Sequence, residues 1–219
     1  MDLEKFRDDV YTITNRLSPQ LTKEDLPKLN YVRQRLIDLY QQNLVKINHS
    51  VLELICAANL VAKGYTVDVE KRLTNSLVCD IYAKKDDKTS IIEIETGFTP
   101  PEHALDTIDY YFSRVVSKIA RYSKFCDEFS LATPVIGILP VHRIFLNPPQ
   151  MRQEVDVRKI KAVCDRFYKN PPIEYGEILN AKLDNVYLIN IDKDFAKEMH
   201  PVSYYKMTLS LLEKSEIDI

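Results

Sequence analysis

Two short stretches hold the residue types best suited to metal and phosphate chemistry. Asp80 interrupts the apolar run Leu77-Val-Cys-Asp-Ile-Tyr-Ala83, and Glu93 and Glu95 alternate with isoleucine in Ile91-Ile-Glu-Ile-Glu-Thr96. A carboxylate inside an apolar strand needs a partner. Side chains alternate along a strand, so Glu93 and Glu95 share one face and Ile92, Ile94 and Thr96 the other. With Asp80 paired near Glu93, three carboxylates converge and repel strongly wherever the effective dielectric is low. A bound divalent cation relieves that repulsion, and ligands that are oxygen alone favour Mg²⁺ or Mn²⁺ over zinc. The bland reading stays open: Ile-Glu alternation also describes a solvated strand face, and Asp80 has Lys84 within reach as a partner.

Other residues bear on the same chemistry. Glu53 is a further acid just upstream, although Ser50-Val-Leu-Glu53 also fits a helix-capping box. Arg114, Lys118 and Arg121 recur at spacings of four and three, which puts them on one helical face. With Tyr110, Tyr111 and Tyr122 close by, that face suits a phosphate backbone as well as it suits solvent. The histidines, His49, His103, His142 and His200, lack metal-ligand spacing, and His142-Arg143 alone stands out as a DNA contact.

These residues need elements to position them. Apolar periodicity predicts helices over 2–17 and 25–45, a third over 52–63 closed by Gly64, a long one over 102–127, and later ones over 151–169 and 202–214. Strands are expected at 65–70, 77–83, 90–96 and 186–191, with Lys84–Lys88 as a polar hairpin connection. The apolar run PVIGIL, residues 134–139, reads as a central buried strand. From residue 50 to 139 the order is helix, three strands, helix, strand. The organisation expected is an N-terminal helical extension (1–48) ahead of an α/β domain (49–219), with a core at 49–140 and an addition at 141–219.

Composition narrows the field. The 219 residues are 45% hydrophobic and 28% charged, an ordinary globular balance, and the net charge of −2 means a nucleic acid must be met by a local patch. There are only four glycines, Gly64, Gly97, Gly137 and Gly176. No G-x-G-x-x-G, Walker A loop or G-x-S-x-G exists, so glycine-cradled phosphate sites are excluded. Cys56, Cys79, Cys126 and Cys164 form no C-x-x-C, which fits reduced thiols inside a cell. The charged N-terminus is not a signal peptide, and no apolar run approaches the roughly 20 residues of a membrane span. An intracellular, cytoplasmic protein is expected.

The order of elements with Glu53, Asp80 and Glu93-Ile94-Glu95 resembles the PD-(D/E)XK nuclease superfamily, which includes restriction endonucleases and archaeal Holliday-junction resolvases. It is similar, more loosely, to nuclease-like proteins of archaeal spindle-shaped viruses, which would make a host cytoplasm the setting. The resemblance covers about residues 49–140. It implies an αβββαβ core with a central mixed sheet flanked by helices. It implies a Mg²⁺- or Mn²⁺-dependent endonuclease acting on DNA as a homodimer. It makes Asp80 and Glu93 metal ligands, Glu95 a ligand or base-orienting group, and Glu53 an accessory acid. Glu95 stands where the family carries its catalytic lysine, and Lys118 is the candidate replacement. The alternative is a catalytically inactive module on the same fold, binding nucleic acid or a protein.

Overall fold

A computed structural model of the chain describes residues 2–214. The strands run in the order β1-β2-β3-β4-β5-β6 in a mixed six-stranded sheet flanked by helices, so the class is α/β. The chain divides into two compact units, one reaching to Ile94 together with Leu188–Lys197, the other comprising Glu95–Tyr187 and the chain from Glu198 onward. No helix among the described residues is long and apolar enough to cross a membrane.

The first unit opens with three helices, α1 (Leu3–Leu17), α2 (Leu26–Gln41) and α3 (Ile47–Ala62). The stripes Phe6, Val10, Ile13, Leu17 and Leu29, Val32, Leu36 are fully or almost fully buried. They are buried because α1 and α2 pack on each other and on α3, and α2 also packs on the first strand. Asp2 caps α1, its side chain accepting from Glu4 N–H. Three antiparallel strands follow, β1 (Thr66–Arg72), β2 (Val78–Lys85) and β3 (Lys88–Ile94), in registers that include Val69↔Ile81 and Ile81↔Ile92. Arg16 ties α1 to the returning segment, with an ion pair to Asp194 at 2.6 Å and a hydrogen bond to the Ile191 carbonyl at 2.8 Å.

The third helix starts earlier than its sequence pattern predicts. Lys46 occupies the cap position and offers no side-chain cap. Ser50 and Glu53 therefore lie inside the helix, where a capping box cannot form. The bland explanation of Glu53 is lost with it.

The second unit holds α4 (Thr107–Tyr122), β4 (Glu128–Pro134), α5 (Glu154–Cys164), α6 (Tyr175–Asn180) and α7 (Pro201–Lys214). β5 (Asn185–Asn190) and β6 (Phe195–Met199) each divide between the units. α4 is shorter than the expected 102–127, because separate 3-10 turns at Pro101–His103 and Ser123–Phe125 flank it. Residues 134–139 are not a strand, which corrects the reading of PVIGIL. The buried strand is Glu128–Pro134, and its last residue has no N–H to continue a ladder. Gly137 N–H then donates to the Pro134 carbonyl at 2.8 Å, closing a turn that leaves Ile136 93% exposed. A Cβ at Gly137 would lie 2.5 Å from Thr133 Oγ1, so this turn needs glycine for space. Leu139 turns inward, its N–H donating to the buried Tyr204 hydroxyl at 2.7 Å.

Candidate metal centre

The acids of the first unit are built from β2 and β3 upward. The register places Asp80 opposite Glu93, one position beyond the Ile81↔Ile92 pair. There the carboxylates brace each other's strand. Asp80 N–H donates to Glu93 Oε1 at 3.1 Å, and Ile94 N–H donates to Asp80 Oδ2 at 2.6 Å. Hydrogen bonds from backbone N–H groups stabilise the ionised form and fix its direction. Glu93 is only 1% exposed, so this stretch of β3 is no solvated face. Pairing of Asp80 with Lys84 is not what the geometry offers: Asp80 Oδ1 instead lies 3.4 Å from His49 Nε2.

α3 and β1 bring further donors. One ligand atom each from His49, Glu53 and Glu70 lie within 4.8 Å of one another. Donors bound at about 2.0–2.5 Å to a shared ion stand no more than about 4–5 Å apart, so the three fit a single cation. Glu53 is 0% exposed, and neither of its oxygens has a hydrogen-bond partner. Buried polar atoms are nearly always satisfied, and each exception needs a reason. Burial first, then the negative charges of Asp80 and Glu70, hold the Glu53 carboxyl well above the usual carboxylate range. The Ser50 hydroxyl works against that shift and Glu93 adds to it. Burial also pushes up the Cys56 thiol, helped by Glu53 and Asp80, and the Cys79 thiol, helped by Glu93 and Asp80. Beside the acids these cysteines stay protonated and inert.

The boundary between the units falls after Ile94, and Glu95 belongs to the second. Its N–H donates to the Ala132 carbonyl at 2.8 Å, which seats it beside β4. Its carboxylate is 0% exposed and is held by α4. Arg114 Nε donates to Oε1 at 3.0 Å and its Nη2 lies at ion-pair distance, 2.7 Å, from Oε2, and Lys118 Nζ lies 3.2 Å from Oε1. Arg114 also donates to the Phe98 carbonyl at 2.7 Å. Arg121 is engaged elsewhere: it donates to the Pro171 carbonyl at 2.7 Å and its guanidinium sits over the Tyr168 ring. The helical face expected from spacing is thus divided between a buried carboxylate and a loop carbonyl. His142 has a local role, its Nδ1 accepting from Ile144 N–H at 3.2 Å.

Of the residues singled out from sequence, Glu53, Asp80 and Glu93 are gathered in the first unit, and Glu95, Arg114 and Lys118 in the second. Sequence reasoning missed His49 and Glu70. His49 and Glu53 are one helical turn apart, a usable signal, but a helix expected over 52–63 leaves His49 outside it. Glu70 has φ +48°, a left-handed conformation no pattern of alternation announces. Comparison with protein-family models, curated proteins and solved structures found no match.

Proposed function

We propose that this protein is a metal-dependent endonuclease of the PD-(D/E)XK type that hydrolyses DNA phosphodiester bonds, on branched or otherwise structured DNA. The observation that carries the reading is Glu53, a fully buried carboxylate without a hydrogen-bond partner beside the braced pair Asp80 and Glu93. The order α3, β1, β2, β3, α4, β4 adds support, since it is the αβββαβ order of that superfamily.

In this reading Asp80 and Glu93 hold a Mg²⁺ or Mn²⁺ ion and Glu53 is the accessory acid. Such an ion supplies an activated water and neutralises charge on the attacking and leaving oxygens. The protein's own work is positional. The strand N–H groups aim the Asp80 and Glu93 carboxylates, and the anionic pocket repels the phosphate unless a cation intervenes. Lys118 is the candidate for the motif lysine's role, its ammonium group directed by Glu95, whereas Arg114 and Arg121, expected to follow the DNA backbone, are engaged with Glu95 and the Pro171 carbonyl. A homodimer and an intracellular setting belong to the same proposal.

One observation favours the inactive alternative: Glu95 occupies the motif-lysine position and is itself neutralised by Arg114 and Lys118. A cleavage panel separates the two. Linear, nicked, flapped and four-way DNA are incubated with Mg²⁺, Mn²⁺ or a chelator. The endonuclease cuts at least one of them with a cation only, and Asp80→Asn and Glu93→Gln abolish cutting. An inactive module binds DNA and cuts none.

A further inference from the structure

We infer that His49, Glu53 and Glu70 form a binding site for a first-row transition-metal dication, one that selects Mn²⁺ over Mg²⁺ through its imidazole. The inference adds a cation position beside the Asp80 and Glu93 pair proposed above and rests on that reading only for its catalytic meaning. The binding itself stands on geometry.

His49 and Glu53 are four residues apart on α3, so both project from the same face of the helix. Glu70 comes from β1. It falls between the pairs Val69↔Ile81 and Lys71↔Cys79, which puts it opposite Asp80 in the register. The left-handed backbone of Glu70 interrupts strand alternation at the residue whose carboxylate joins His49 and Glu53. Non-glycine residues in this region are uncommon and gather at functional sites. Asp80 Oδ1, 3.4 Å from His49 Nε2, steadies the ring from a third element.

The decisive residue is again Glu53. Neither of its oxygens makes a well-formed hydrogen bond, the Ser50 hydroxyl being the nearby donor, and both oxygens are buried. A cation shared with His49 and Glu70 satisfies the carboxylate and disperses the repulsion between neighbouring acids. One nitrogen and two carboxylates leave coordination positions for water. Carboxylates alone suit Mg²⁺, whereas an imidazole shifts preference toward Mn²⁺ and later first-row ions.

The test uses the full chain after chelator treatment, titrated with Mn²⁺ and followed by electron paramagnetic resonance and calorimetry. Wild type is compared with His49→Gln, Glu53→Gln and Glu70→Gln, and with Glu154→Gln as a distant control. Far-UV circular dichroism verifies that each variant is folded. The expected result is a tight Mn²⁺ site in wild type and in the control, weakened at least about tenfold in each of the three variants. Zn²⁺ displaces the Mn²⁺, and Mg²⁺ does so only at a concentration at least about ten times higher. No bound Mn²⁺ in wild type, or wild-type affinity in folded His49→Gln and Glu70→Gln, overturns the inference. Mn²⁺ binding without DNA cleavage leaves the site standing and removes the nuclease reading. Cleavage with unchanged Mn²⁺ affinity in the variants does the reverse.

Discussion

A buried carboxylate with no hydrogen-bond partner has a thermodynamic signature that can be measured without any substrate. Glu53 holds its proton above the ordinary carboxyl value of 4.5, because burial and the charges of Asp80 and Glu70 disfavour ionisation. Below that value both folded and unfolded chains carry the proton, and the contribution to stability is fully present. As pH rises past it, the unfolded chain releases the proton while the folded one keeps it, so stability falls. In metal-free protein, Glu53→Gln should therefore raise stability at pH 8 relative to wild type. The difference should shrink toward pH 4, as followed by urea denaturation at both pH values. An equal difference at the two values would place the proton elsewhere. At this scale the sequence was informative where period two governs, in placing Asp80 and Glu93 on facing strands; Glu95 lies past the end of β3 and is held by Arg114 and Lys118 instead of joining them. The sequence was silent on Glu70, whose place depends on one backbone torsion. It was silent on His49 because helix boundaries are weakly encoded when no capping side chain marks them, and Lys46 provides none.

Elements set the price of each charge. Glu95 is fully buried and depends on two cations from α4, with Arg114 making the closer contact. Arg114→Ala leaves a buried charge with Lys118 alone and should cost about 3–5 kcal/mol. Lys118→Ala should cost less, and thermal or chemical denaturation of the two variants gives the comparison. Equal losses would mean the closer contact contributes nothing further. The N-terminal helices make a second case. Leu36 is fully buried where α2 meets its neighbours, so Leu36→Ala should destabilise by about 2–5 kcal/mol, against near-zero cost if these helices were a loose appendage. The apolar stripes of α1 and α2 were legible because their spacing is purely helical. PVIGIL misled because hydrophobicity was taken as burial. The strand that is buried, Glu128–Pro134, carries Ser130 and Thr133 among its inward residues, and a proline and a glycine bend the apolar run out of it.

For the whole molecule, the α/β class and the order helix, three strands, helix could be read from periodicity, since each element has a distinct period and turn signals between, whereas the strand that follows was expected at 134–139 and lies at Glu128–Pro134. The division of the chain after Ile94 could not be read, because the cut falls inside the Ile-Glu run that looked like a single motif. The shortage of glycine keeps its meaning at this scale: the sequence has no glycine-rich motif of the kind that cradles phosphate on backbone N–H groups. The central claim is that Asp80 serves a metal-dependent cleavage of DNA. It is tested most directly by the rate at which wild type and Asp80→Asn cut four-way DNA in Mg²⁺ or Mn²⁺. The account predicts cation-dependent cutting by wild type and a loss of at least about a hundredfold in the variant. Cutting that survives in Asp80→Asn at the wild-type rate, or that persists in chelator, would contradict it.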